Sequence, residues 1–447
     1  MKPLFIAEID AALGADLPAE VTVHDSAPAM LPSVFAVSDL ACAAMRAAGT
    51  ELAACLGAGA IALDRRLTLM WFQTSLRPQG WAVPAAWDAI AGDYRARDGW
   101  VRLHTNAAAH RAAALSVLGC APDRTAVAEA VRDRDRDALE AAVVAAGGAA
   151  AAMHDLAGWA AHPQGRAVAQ EPLIAWTDAG QAPARPRPGL RGLRVLDLTR
   201  VLAGPVATRF LAGFGAQVLR IDPPGWDEPG IVPEVTPGKR CLGLDLRRTA
   251  DRARFEALLS GADVLVHGYR PGALDGLGYD AARRRSLAPA LIEVTLDAYG
   301  WAGPWAGRRG FDSLVQISCG IAEAGMRRTG AARPVPLPVQ ALDHATGYLM
   351  AAAVLRALRR RDRTGQIASA RLSLARTAAL LTSAGEEEQR PDLAPETAAD
   401  LAPETEATVW GPARRLRFPI RLPDGSGARW SCPAGPLRAA PPGTVWA

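Results

Sequence analysis

The chain has 447 residues, 50% of them hydrophobic and 21% charged, with 50 basic against 46 acidic side chains and a formal net charge of +4. That length favours two or three domains, the apolar fraction excludes wholesale disorder, and the near balance of charge gives no case for a nucleic-acid-binding face. All but two of the basic residues, Lys2 and Lys239, are arginine. Beside so much Ala, Gly and Pro, this reads as a coding bias rather than phosphate recognition. The six cysteines are scattered with no C-x-x-C pair, which argues against zinc and against a disulfide scaffold and suits a reducing cytoplasm.

The start, M-K-P-L-F-I-A-E-I-D, reaches Glu8 and Asp10 before an apolar leader segment forms. The longest weakly apolar run, residues 141–153, is broken by Gly147 and Gly148. A bilayer span needs about 20 larger apolar residues. The expectation is a soluble, cytoplasmic protein with neither a membrane nor a nucleic acid as partner.

Residues 1–185 read as Ala-rich helices with short extended pieces, including helices over 37–56, 111–118 and 124–146. The alternation of Arg and Asp over 132–137 is a solvated helix face, and the proline spacing of 181–189 is a semi-extended linker. From Leu190 the pattern changes. Strands are predicted over 193–198, 216–222, 262–267 and 291–296, separated by helices over 205–214 and 250–259. Strands alternating with helices argue for a parallel sheet covered on both faces, with ligands at the carboxyl ends of its strands. A further helix is predicted over 345–360, with a cationic last turn and Gly365 to close it. Beyond Glu386 the chain becomes polar and repeats D-L-A-P-E-T from Asp392 and Asp400, a pattern expected of a flexible linker before a tail of short extended segments. Three units follow: 1–185, 186–385 and 386–447.

Four segments carry possible chemistry. T-R-V-L-A-G-P (199–205) lies between a strand and a helix, where backbone N–H groups meet anions, although on its own a plain turn is the better reading. Lys239, in G-K-R-C-L-G-L-D-L (238–246), is a compact ammonium in a background of arginine, suited to point contact with a phosphate unless it is an accident of composition. In V-L-V-H-G-Y-R-P-G-A-L-D-G-L-G (264–278), Tyr269 and Arg270 follow a strand end, placed for a base and a phosphate or for an ordinary turn. Asp343 stands at the start of a helix, as an N-cap or as an ionised carboxylate nucleophile, with His344 beside it as a packed histidine or a base.

These segments, in this order, resemble the family III CoA-transferases, the carnitine/formyl-CoA transferase and acyl-CoA racemase superfamily. The resemblance runs from about Leu190 to Leu380. It rests on 199–205, on G-A-x-V-x-x-x-D (215–222), and on Lys239-Arg240 before Leu244-Asp245. Asp263 to Gly272, Y-G-x-x-G-P (299–304), and Asp343 followed by Thr364-Gly365 complete it. It implies an α/β fold, with a Rossmann-like parallel sheet that binds CoA and a smaller α+β domain. It implies CoA along Arg200, Val201 and Ala203, its phosphates near Lys239, its nucleotide bordered by Tyr269, Arg270 and Leu277, and a basic position at Arg309. Asp343 would be the catalytic residue of an acyl-CoA:carboxylate CoA-transferase. CoA would enter as acyl-CoA substrate, with a carboxylate as second substrate and no resident cofactor or metal.

Departures from the family pattern bear on the alternatives. Racemase relatives carry histidine immediately before Asp312, and this chain has Phe311. That weakens an acyl-CoA racemase or isomerase reading. Gly276 stands where some transferases have arginine, and no glycine-run loop is found, which keeps a non-catalytic CoA-binding protein as a further alternative. Residues 92–106 and 159–165 resemble the family's small domain, which ordinarily follows the aspartate and here precedes it, as in a fusion or permutation. The family's interlocked, ring-like dimers imply a homodimer, with one chain or two completing the site.

Overall fold

The computed structural model describes residues 1–14, 20–24, 27–184, 186–387, 392–441 and 443–446. Its centre is a seven-stranded sheet. From one edge the strands are Lys239–Gly243, Gln217–Asp222, Arg194–Leu198, Val264–His267, Ile292–Asp297, Gln366–Ser373 and Ala175–Gln181. All neighbours are parallel except the last pair. The first six, numbered along the chain, run 3-2-1-4-5-6, the doubly wound order whose direction reverses between Arg194–Leu198 and Val264–His267. The four predicted strands are present within two residues of their expected ends. The α/β class expected from the alternation is the one observed.

Two long helices hold the sheet to the N-terminal region. Val37–Leu56 stops where Gly57 takes a left-handed φ of 68° and its N–H turns back to the carbonyls of Ala53 and Ala54. Ala341–Thr364 stops in the same way at Gly365, with φ 76°. It begins four residues earlier than predicted, because its first turns are buried between the Val37–Leu56 and Ala203–Gly213 helices and need no polar stripe. Gly347 permits that approach. A Cβ there would run into the carbonyl oxygen of Ala203 and lie 3.0 Å from Val206 Cβ.

The segment predicted as one helix over 124–146 is two, Arg124–Arg132 and Arg136–Ala145. Asp123 caps the first by accepting from Thr125 and Ala126 N–H. The break is held by Arg97, whose N–H donates to Arg134 O at 3.0 Å and whose guanidinium pairs with Asp135 at 2.6 Å. These helices and Ala108–Leu118 pack on a small antiparallel sheet of Gly92–Arg95, Trp100–Leu103 and Ala150–Ala152, around Tyr94, Val101, Val127 and Val143.

The segment expected as linker and tail contributes three strands. Leu401–Thr408 pairs with Gly411–Leu416, which pairs with Leu76–Pro78, and Ile420–Arg421 pairs with Ala60–Asp64. The segment is held without an apolar core because one carboxylate of the repeat, and another just beyond it, meet arginines, while Asp392, Glu396 and Glu404 stay exposed. Asp400, in the second copy, meets Arg66 at 2.6 Å, and Glu406 meets Arg415 at 2.5 Å. The composition boundary near 185 is likewise crossed, since Ala175–Gln181 is the antiparallel edge of the central sheet. Among the described residues no helix is long and apolar enough to cross a membrane.

Candidate functional site

The site lies where the strand order reverses. The Arg194–Leu198 strand runs into the turn Thr199–Ala203, and the Ala203–Gly213 helix leads away from it. Asp197, fully buried, fixes this turn by accepting from Thr199 N–H at 2.9 Å and from the Thr199 and Thr208 hydroxyls at 2.5 Å. At Val201 the backbone adopts φ 63°. For a β-branched residue this conformation is strained, by roughly 1–3 kcal/mol, and such strain gathers at binding sites. It is held by Glu228, whose Oε2 accepts from Val201 N–H at 2.8 Å while its other oxygen pairs with the buried Arg220.

Two cavities meet here. The first, about 600 Å³, lies over the carboxyl ends of the strands. Arg200, Val201, Ala203, Tyr269, Arg270, Leu277 and Arg309 all line it, as does Asp343. Four arginines face it: Arg200, Arg270, Arg308 and Arg309. Arg200 is stacked between Trp226 and Tyr269, 4.6 and 5.3 Å from the ring centres. Arg308 is committed to Glu140 at 2.6 Å. Arg270 and Arg309 reach only carbonyl oxygens, those of Gly307 and Gly147, and among the described residues neither forms an ion pair. Burial and the Arg270 charge hold the Arg309 guanidinium below its usual pKa. The first-turn N–H groups of Ala203 and Gly204 border the same cavity and have no partner among the described residues. This wall suits a polyanion.

Lys239 is not part of it. Its ammonium is fully buried and donates to Asp197 at 3.0 Å, to Pro205 O at 2.9 Å and to the Thr208 hydroxyl at 2.6 Å. The expected phosphate contact is corrected to a structural one. A compact ammonium fits between the sheet and the Ala203–Gly213 helix and neutralises Asp197. Burial raises the Asp197 pKa, but Lys239 and Arg220 more than offset it and hold the carboxyl below its usual value.

The second cavity, about 320 Å³, lies beyond Asp343. Val201, Trp226, Phe311 and Asp343 line both cavities, so Asp343 stands at their junction. The residue is 7% exposed. It is the third residue of its helix rather than the N-cap, a position held by Gln340, and its carboxylate is not used in capping. The expectation that the helix start keeps it ionised is reversed. Burial first, and then the charge of Asp312, raise its pKa well above the usual value, while burial pushes Asp312 to about 6. The N–H groups at the helix start are also occupied: Asp343 N–H donates to Asp312 Oδ2 at 2.9 Å and His344 N–H to Gln340 O. His344 itself is stacked on Phe72, 4.9 Å between ring centres, and lines neither cavity.

The sequence reading missed what the N-terminal region supplies. His104 stacks on Phe311 at 3.7 Å and lines the second cavity, and His110 meets the same ring edge-on at 5.8 Å and lines the first. Burial lowers His104 to about 3 and His110 to about 4, so both are neutral at pH 7. The 226–231 loop was missed as well. Its Gly230 approaches the 85–86 segment so closely that a Cβ would stand 2.7 Å from Ala86 Cα. The only sequence signal was the family-like stretch ending at His104 and Asn106, whose spatial partner no local pattern could name.

Residues 190–396 match the model of CoA-transferase family III. An acetyl-coenzyme A transferase of Hypoxylon pulicicidum is 36% identical over 200 residues, covering 44% of this chain and 34% of that protein. A probable fatty acyl-CoA transferase of Mycobacterium tuberculosis is 36% identical over 200 residues, covering 41% and 49%. An acetyl-CoA:oxalate CoA-transferase of Acetobacter aceti is 34% identical over 199 residues, covering 41% and 50%. The chain thus spans a third to a half of the length of these relatives. A crystal structure of the Mycobacterium tuberculosis protein superposes with a TM-score of 0.39 at 32% identity, covering 45% of this chain and 59% of that one. The match falls on the segment whose motifs, from Thr199 to Gly365, resemble that family.

Proposed function

We propose that this protein transfers CoA between carboxylic acids, with acyl-CoA and a free carboxylate as its two substrates. The observation that carries the reading is Asp343 at the junction of an arginine-lined cavity and a smaller second one. CoA would occupy the first, with Arg270 and Arg309 toward its phosphates, and the acyl group the second. The thioester carbonyl then meets the Asp343 carboxylate. The match to family III, and relatives named for CoA transfer to acids, support the same activity.

The chemistry needs one carboxylate. An ionised Asp343 oxygen attacks the thioester carbonyl, the C–S bond breaks, and CoA leaves as thiolate, giving a mixed anhydride. The thiolate attacks the aspartyl carbonyl of that anhydride, releasing the donor acid and leaving aspartyl-CoA. The acceptor carboxylate attacks aspartyl-CoA to form a second anhydride and free the thiolate, which takes the new acyl group and restores Asp343. Thioester is exchanged for thioester, so the cycle balances without ATP. The N–H groups of Ala203 and Gly204, without partners among the described residues, are available to the oxyanion, a contribution of about 3–4 kcal/mol per donor in other enzymes.

A second reading has one observation in its favour. His104 and His110 flank Phe311, where the racemase relatives hold their base. Their depressed pKa values make both weak bases for an α-proton, so transfer is the better-supported reading. Incubation with an isotope-labelled acyl-CoA and a panel of carboxylates, read by mass spectrometry, tests it. New acyl-CoA species without ATP are expected, and their absence with every acid contradicts it.

A further inference from the structure

We infer that the second cavity selects acyl groups that carry no second carboxylate, so that the substrates are acids with neutral, largely apolar chains. The inference rests on the proposed transferase reading. It comes from a contrast between the two halves of one site. Four arginines line the first cavity, whereas among the described residues lining the second none is lysine or arginine. Five carboxylates do line it: Asp88, Asp227, Glu228, Asp312 and Asp343.

The cations near these carboxylates stand outside the cavity or are missing. Glu228 is bound to Arg220 behind the wall, and Asp88 accepts from the Thr105 hydroxyl at 2.7 Å and faces Arg111 at 3.6 Å. Asp312 is met by an amide, Gln316, and a backbone N–H rather than a cation. Asp227 has no cation partner among the described residues, its Oδ1 accepting only from Glu228 N–H. The arginines nearest in packing are turned to other duties. Arg102 lies over the Trp87 ring and pairs with Asp93 at 2.7 Å, and Arg200 lies over Trp226 on the side of the first cavity.

A second carboxylate entering this space would lose its hydration, face the carboxylates of Asp227 and Asp312, which have no cation partner among the described residues, and find no guanidinium on the wall to accept it. An alkyl chain would instead meet Trp87, Phe311, Val201, Leu202 and Ile231. The volume, about 320 Å³, holds a short or branched chain.

Butyryl-CoA and succinyl-CoA, of equal carbon number, separate the cases. Calorimetric titration of the Asp343→Asn protein with each, and with free CoA, reads binding without turnover, and wild-type exchange rates with butyrate and succinate as acceptors provide an independent measure. Butyryl-CoA is expected to bind at least about tenfold more tightly, since like charges brought together in a site discriminate by that much or more. Asp227→Lys, an exposed substitution, should narrow the ratio by admitting a cation to the wall. Equal or tighter binding of succinyl-CoA, or faster exchange onto succinate, overturns the inference and leaves CoA transfer standing. Failure to bind free CoA and both acyl-CoAs overturns the transferase reading, and the acyl preference with it.

Discussion

The backbone N–H of Asp343 donates to Oδ2 of Asp312 at 2.9 Å, so the helix that presents one carboxylate begins on another. The arrangement orients Asp343 toward the junction of the cavities and opposes its ionisation at the same time. A less solvated carboxylate is a stronger nucleophile once ionised, and the cost falls on the folded protein.

That cost predicts a stabilising inactive variant. The folded-state pKa of Asp343 lies above its unfolded value, so this group progressively lowers stability as pH rises from the unfolded pKa to the folded one. Asp343→Asn removes it. Thermal unfolding should show a higher Tm for the variant, by a margin that grows as pH is raised from acid toward neutrality and beyond. A lower Tm at alkaline pH would mean that the carboxylate is a structural support.

Asp312→Asn keeps an oxygen for Asp343 N–H but removes the neighbouring charge, and the carboxyl of Asp343 should then ionise at lower pH. The acid limb of kcat/KM is expected to move to lower pH, by less than full relief of burial would give. An unmoved limb would show that Asp312 does not set the ionisation of Asp343.

Lys239 and Arg309 should separate stability from binding. Lys239→Ala leaves Asp197 buried without its cation and is expected to cost about 3–5 kcal/mol in chemical unfolding. Arg309→Ala should weaken CoA by about tenfold in calorimetric titration, a charge-assisted hydrogen bond's worth, with little effect on Tm. The reverse pattern would return Lys239 to the phosphates.

The contrast marks what the sequence could reveal. Four strands of the parallel sheet were legible because apolar runs alternate with helical segments, and the Thr199–Ala203 turn because it joins a strand to a helix, whereas the order of the strands was not. Lys239 was conspicuous for its rarity, but rarity carries no direction, and its ammonium points into the sheet-to-helix seam. His104 and His110 were unreadable as site residues, since they reach Phe311 across about two hundred residues of chain. The pairing of Asp400 with Arg66 was hidden for the same reason: one carboxylate of a polar repeat is buried because a distant arginine reaches it.

The weak basicity of His104 and His110 predicts no α-proton exchange. In heavy water, 2-methylacyl-CoA should take up no measurable deuterium in preparations that transfer CoA between acids. Uptake at a rate comparable to transfer, lost in His104→Ala, would favour the racemase reading.

The most direct test of the central claim is a search for CoA attached to Asp343. Wild-type protein incubated with acyl-CoA in the absence of acceptor, digested and read by mass spectrometry, should yield CoA in thioester linkage on the peptide containing Asp343. The adduct should be released by hydroxylamine and missing from Asp343→Asn, which should also lose exchange by at least about a thousandfold. Exchange persisting near the wild-type rate in Asp343→Asn, with no adduct in either protein, would contradict the account.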